Sequence, residues 1–281
     1  ALEGLLPTAK WNSWWTKAKK NPRVLSSGSG SRLRYTVSHS AESADEALLE
    51  ELRLASPSDR LVIARRLSDR GQETAAAAAA VLEESLTSLE LSEPGLAWQT
   101  AGILASLPGG RDAARFSRQR LIEIDAPLAL LSGIADRSAR SEALTALVES
   151  SPEGWPEIWA EWLLHEEGAS LLKEITAKLE AGGHTELVDQ AMEAVFRNHA
   201  NHPAQFMWAC EAMSEADCPQ AVRSRMTPSL LEKIPDAITR KEFSSIRGRA
   251  KGLLDGGKVA IRLLMESANA QQAARFSQRI A

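Results

Sequence analysis

Residues 169–181 read ASLLKEITAKLEA and contain four large apolar side chains at helical spacing: Leu171, Leu172, Ile175 and Leu179. These positions fall on one side of a helix with 3.6 residues per turn, while Lys and Glu occupy the other side. The stretch therefore predicts an amphipathic helix that buries one stripe against its neighbours.

Similar stretches follow one another along most of the chain, separated by Pro, Gly or Ser. We predict helices over residues 43–54, 58–69, 72–89, 94–106, 111–123, 127–135, 138–149, 153–165, 169–181, 185–199, 204–213, 219–225, 228–234, 240–254, 257–265 and 268–280. Short helices joined by short turns, with no strand between them, form either bundles or stacked solenoids. Because helix pairs recur roughly every 30 to 40 residues, we predict an all-α fold of degenerate helical-hairpin repeats. This α-solenoid, of the HEAT or tetratricopeptide kind, would span residues 41–281.

Composition limits the class of protein. Of the 281 residues, 44% are apolar and 25% are charged, and the longest apolar run, residues 75–82, is too short to cross a bilayer. Two cysteines, Cys210 and Cys218, are too few for a disulfide framework and favour a reducing, cytoplasmic compartment. Since the chain begins with Ala1 and carries no secretory signal, we expect a piece of a longer cytoplasmic polypeptide. Without a run long enough to cross a bilayer, we expect no membrane partner.

Positive charge is concentrated at the start of the chain. Residues 1–37 hold seven Lys and Arg against one acid, a formal charge of +6, whereas the whole chain carries −4 and the remainder therefore −10. A basic segment on an acidic body is typical of a contact with nucleic acid or with an acidic protein face. The predicted contact residues are Lys17, Lys19, Lys20, Arg23, Arg32 and Arg34.

Residues 1–40 also differ from residues 41–281 in pattern, and we predict that they form a separate module. A helix over residues 10–20 precedes two short alternating stretches joined by a Ser/Gly segment, which is the pattern of a β-hairpin. Within the helix, Trp11, Trp14 and Trp15 are spaced i, i+3 and i+4, so the three indoles share one face.

The indoles allow two interpretations. In one they form a small core with Tyr35, Val24 and Leu33 and clamp the hairpin onto the helix. In the other, the basic helix and ribbon are the remnant of a winged-helix module, which presents a helix to the major groove of a duplex and a wing to its backbone. A complete winged helix needs two helices ahead of this one, and only residues 2–6 remain there.

The pattern W-x-x-W-W-x-K-A-x-K, followed by Pro-Arg-Val and a hairpin closing on Tyr, resembles the N-terminal extension of long, fused transcription elongation factors of the Gre type. The matching residues are Trp11, Trp14, Trp15, Lys17, Ala18, Lys19, Pro22, Arg23, Val24 and Tyr35. The resemblance implies that the helices form the large region that precedes the transcript-cleavage domain in such proteins. It also implies RNA polymerase as the protein partner.

The resemblance does not extend to catalysis. Gre factors hold a catalytic metal with carboxylates at the tip of a coiled coil and carry a small β-rich domain, and this sequence contains neither a long heptad hairpin nor further strands. We therefore expect a scaffold for protein–protein interaction with no catalytic residue, no cofactor and no metal. The alternative is a general adaptor whose basic head packs on the first helices and touches no nucleic acid.

Zinc provides one competing interpretation. His199, His202, Cys210 and Cys218 are the ligand types that zinc prefers, but their spacing matches no common zinc pattern. No Ser-His-Asp set or phosphate-binding loop accompanies them. An enzyme would need a cleft with perturbed ionisable groups near the two histidines.

Two further groups carry alternatives. Residues 161–167 place three acids and a histidine at a helix end, where we predict a solvated acidic face, with metal binding or proton transfer as the alternative. Trp155, Trp159 and Trp162 form a helical stripe, for which we predict core packing, with a peptide-binding groove as the alternative.

Overall fold

A computed structural model describes residues 8–19, 21, 23–27, 33–124, 126–213, 215–234 and 246–254, together with 271, 272, 274, 275 and 278. Over these residues the chain is mostly helical with one two-stranded antiparallel sheet, which confirms the predicted helical class and the hairpin. The elements are α1 (Thr8–Lys19), β1 (Val24–Ser27), β2 (Arg34–Val37), α2 (Ala41–Leu54), α3 (Pro57–Ser68), α4 (Gln72–Ser92), α5 (Pro94–Leu104), α6 (Arg111–Ile122), α7 (Pro127–Ser132), α8 (Arg137–Ser150), α9 (Trp155–Leu163), α10 (Ala169–Ala181), α11 (Thr185–Arg197), α12 (Pro203–Ala212), α13 (Gln220–Arg225), α14 (Pro228–Leu231) and α15 (Arg247–Leu254).

Proline marks the first turn of α3, α5, α7, α12 and α14. Its fixed φ suits a helix start, and its missing N–H is not needed there. The predicted helices that the structure describes therefore agree with the observed ones to about one turn at each end. The predicted helix over 257–265 lies outside the described residues, as do the start of 240–254 and most of 268–280. In the described part of the chain, no helix is both long and apolar enough to cross a membrane.

The chain divides into two compact units, residues 1–139 and 140–281. Each unit has its own set of buried apolar side chains. This division is not the boundary predicted between residues 40 and 41, which separates the N-terminal module from the helical region. That boundary stays a prediction.

The first unit is built around α5, in which nine of eleven residues are buried. Gly95 of α5 lies directly against Gly133, since a Cβ at Gly95 would come within 2.2 Å of the Gly133 carbonyl carbon. The Gln99 amide donates to the carbonyl oxygens of both glycines, at 3.3 and 3.5 Å. We predicted that α7 would continue to residue 135, but it ends at Ser132 because the chain turns at Gly133 to pass the α5 backbone.

The second unit has a comparable central helix, α12, with eight of its ten residues buried. Around it, the tryptophans of residues 155–162 are buried, as the core interpretation requires. Trp159 Nε1 donates to the carbonyl oxygen of Leu144 at 3.3 Å, so α9 is fixed to α8 by a hydrogen bond as well as by packing.

Candidate interaction module at residues 8–40

The α1 helix brings three indoles together on one face. The ring centroids of Trp11 and Trp15 are 6.0 Å apart, and their planes are within 8° of parallel. Trp14 lies 5.2 Å from Trp11 and 6.1 Å from Trp15, with interplanar angles of 30° and 22°. The three rings therefore form one nearly continuous aromatic surface, which we call the indole face.

The hairpin supports this surface from one side. Its strands pair from Val24 opposite Val37 to Ser27 opposite Arg34. Tyr35 on β2 meets Trp15 edge-on, with centroids 4.8 Å apart and planes at 80°. Edge-to-face pairs of this kind add about 0.5–1.5 kcal/mol beyond their buried area. The structure thus brings together all four residues of the predicted aromatic cluster.

The described residues of the module do not enclose its aromatic side chains. Every residue from Lys10 to Ser40 whose burial is described is exposed or half-buried. Trp14 is 41% exposed and Leu33 is 40% exposed. The clamp interpretation accounts for the contact of Trp15 with Tyr35, but it leaves the open surface of Trp14 unexplained.

Exposed cations surround the indole face. Lys17, Lys19, Arg23 and Arg34, from the predicted contact set, are all exposed, and Lys20 and Arg32 lie outside the described residues. Lys19 Nζ lies 5.9 Å from the Trp15 ring centroid, within cation–π range. Arg23 is partly engaged in the fold, because its Nε donates to the carbonyl oxygen of Ser38 at 2.8 Å.

Lys10 was missing from the predicted contact set, although it is exposed in the first turns of α1. The sequence contained the signal, because Lys10 and Lys17 are seven residues apart and share one side of a helix. The residues from Thr8 to Ser40 contain no acid at all, so the whole module is uniformly cationic.

The prediction of a solvated acidic face at residues 161–167 is wrong for Glu166. Its side chain is fully buried, and four nitrogen atoms from three residues lie within 3.2 Å of its carboxylate oxygens. Oε1 accepts from Gly168 N at 2.7 Å and from Arg140 Nη2 at 3.2 Å. Oε2 accepts from Trp162 Nε1 at 3.1 Å and lies 3.2 Å from Arg140 Nε. A buried carboxylate persists only where such donors replace water.

The residues that follow α9 also contact polar side chains at the start of α12. Gln205 Nε2 donates at 2.9 Å to the carbonyl oxygens of both Leu164 and Glu166. His202 Nδ1 lies 3.2 Å from the Leu164 carbonyl oxygen. These hydrogen bonds within the protein join α8, α9 and the start of α12.

The residues of the zinc alternative are engaged separately. No group of three or more potential ligands converges anywhere in the residues that the structure describes. His199 packs its ring against Phe206 at 5.3 Å. Burial raises the pKa of both thiols, and a protonated thiol is a poor metal ligand. The geometry therefore gives no support to a zinc site at these four residues.

Comparison with known families places the similarity in the helical region. Residues 113–234 match the model of the GreA-associated C-terminal domain. The match covers less than half of the chain, from α6 to just beyond α14. It confirms the resemblance to a helical region associated with Gre factors, although the tryptophan motif that carries the resemblance lies outside the matched residues. It also links the chain to the context of transcription elongation factors. No curated protein and no solved structure matches the chain.

Proposed function

We propose that this chain is a non-catalytic helical scaffold, accessory to a Gre-type transcription elongation factor in the bacterial cytoplasm. Its partner is RNA polymerase, and residues 8–40 provide the contact. The observation that carries the proposal is the match of residues 113–234 to a domain that accompanies GreA. A domain that accompanies an elongation factor is expected to act where that factor acts, on the polymerase and its nucleic acids.

The scaffold consists of degenerate helical-hairpin repeats of the α-solenoid kind. Two observations support this part of the proposal. Helices of similar length follow one another through short turns. In addition, α5 and α12 share three features. Each helix begins with Pro, has most of its residues buried, and contains a buried Gln whose side chain donates to backbone carbonyl oxygens. Repeats of this type expose broad faces suited to binding other proteins.

The module of residues 8–40 is the contact because of its charge and its exposed aromatic surface. Aromatic residues and Arg are enriched in protein interfaces, and clusters of Lys and Arg are typical of nucleic-acid-binding surfaces. RNA polymerase would offer a protein surface to this module, and its transcript would offer a nucleic acid.

A second candidate is a general adaptor that uses its helices alone. It is favoured by the contact between β1 and α2, which shows that the hairpin packs on the first helix of the scaffold. The two functions differ in salt dependence, because binding through exposed cations weakens steeply with added salt.

The test measures binding of the full chain to RNA polymerase from the same organism at several salt concentrations. We expect binding that weakens with salt and falls at least about tenfold in the double variant Lys17→Glu/Lys19→Glu. The matched control reverses two exposed lysines elsewhere, Lys178→Glu/Lys251→Glu, with the same change in net charge. Absence of binding contradicts the proposal, and equal loss in both variants assigns the effect to net charge and removes the module as the contact.

A further inference from the structure

The indole face of α1 is the most unusual exposed surface among the described residues. Three large apolar rings are held in contact by a single helix, and Trp14 keeps 41% of its surface in water. An exposed indole beside two half-buried ones, with cations at its edges, offers a stacking surface for an aromatic, negatively charged ligand.

The cations are placed along both edges of this face. At 3.6 residues per turn, Lys10 and Lys17 lie to one side of the three indoles and Lys19 lies to the other. The module from Thr8 to Ser40 has no acid to repel a polyanion. A ligand on the indole face would therefore have aromatic surface beneath it and positive charge on either side.

We propose that the indole face binds single-stranded nucleic acid, with bases stacked on Trp14 and its neighbours and phosphates bound by Lys10, Lys17 and Lys19. The inference rests on the proposed role of this module as a contact surface and names its ligand. Exposed π-faces bind unpaired bases because every base has a π-face of its own.

The same geometry argues against a duplex as the ligand. In a duplex the base faces are already stacked, and grooves are read by polar side chains on base edges. Seating α1 in a groove through its exposed indoles would place apolar rings against phosphates. The three indoles span about 6 Å along the helix axis, which matches roughly two base steps of 3.4 Å. A short unpaired segment, such as nascent transcript, fits this surface.

The test uses the full chain and a fluorescein-labelled oligouridylate of about 12 nucleotides, within the range that comparable sites cover. Fluorescence anisotropy gives the affinity at low and at moderate salt. We expect the oligouridylate to bind at least about tenfold more tightly than an RNA duplex of equal length. Trp14→Ala should weaken binding about 5- to 100-fold, whereas Trp14→Phe, which keeps a stacking ring, should stay within about threefold of the wild type.

The matched control is Val37→Ala, which removes an exposed apolar side chain, 71% accessible, from the hairpin of the same module. It should bind as the wild type does. Since Trp14 is a surface residue, all variants should keep the helical circular dichroism of the wild type. Unchanged binding in Trp14→Ala overturns the inference. Equal affinity for the RNA duplex also overturns the inference. So does polyglutamate that competes as strongly as the unlabelled oligouridylate.

Measuring polymerase binding with the same variants separates this inference from the proposed function. If oligouridylate fails to bind while polymerase binding persists and depends on Lys17 and Lys19, the stacking inference is wrong and the proposed function stands. If the lysine variant loses both polymerase binding and oligouridylate binding, and Trp14→Ala loses only oligouridylate binding, the proposed function and the stacking inference are both supported.

Discussion

Replacing Glu166 by alanine tests whether the buried carboxylate holds the second unit together. The substitution removes the acceptor for the Trp162 indole N–H, the Gly168 N–H and the Arg140 guanidinium. Arg140 is itself only 20% exposed, so it would lose this carboxylate partner in a largely buried position.

The magnitude follows from the loss of this buried ion pair. Removing one partner of a buried ion pair costs about 3–5 kcal/mol, several times the cost of losing a surface pair. The Glu166→Gln variant retains the side-chain volume but not the charge. It should lose most of the same free energy of unfolding if electrostatics, and not a cavity, is the cause.

The assay is urea unfolding followed by circular dichroism. With a slope of about 3 kcal/mol/M, a loss of this size lowers the midpoint by about 1 M or more. The control is Glu167→Ala, next in sequence but exposed, which should change the free energy of unfolding by less than about 0.5 kcal/mol. A loss below about 1 kcal/mol for Glu166→Ala would refute the reasoning.

Three further predictions concern other parts of the fold. Gly95→Ala should destabilise the first unit by about 3 kcal/mol or more, because its Cβ would meet backbone atoms, whereas Gly71→Ala, with nothing within 4 Å, should be nearly neutral in thermal unfolding. Burial raises the pKa of Glu90, but hydrogen bonds from its arginine partner and a serine outweigh that effect, so the pKa is lowered overall. The Glu90 carboxylate therefore stabilises the fold at pH values above the ordinary pKa of a carboxyl group, and this stabilisation is lost as the pH falls below that pKa. In Glu90→Gln, the free energy of unfolding should depend less on pH in this acidic range. In native protein, Cys218 should react with iodoacetamide well before the fully buried Cys210, and simultaneous alkylation of both would contradict the described packing.

Local patterns predicted most of the helices correctly. Apolar spacing located them, and proline and glycine located many of their ends, because helix starts and stops depend on residues close in sequence. Even the three indoles were placed together by spacing alone, since α1 contains all three. The 41% exposure of Trp14 could not be predicted, because it depends on how distant parts of the chain pack around α1.

Contacts between distant residues could not be predicted in the same way. Glu166 looked like one of several surface acids, and only the fold brings Arg140 to it from 26 positions away. The close approach of Gly95 to Gly133 likewise depends on how α5 packs against the turn after α7. The tryptophan motif indicated the Gre association, whereas the family match lies in helices whose amphipathic pattern alone is common to many proteins.

Hydrogen–deuterium exchange of the full chain, with and without RNA polymerase, tests directly whether residues 8–40 are the surface that contacts the transcription machinery, as we propose. We expect polymerase to slow amide exchange in α1 and the hairpin, and Lys17→Glu/Lys19→Glu to abolish this protection. Protection confined to the helices after residue 41, with α1 unchanged, would contradict the proposal.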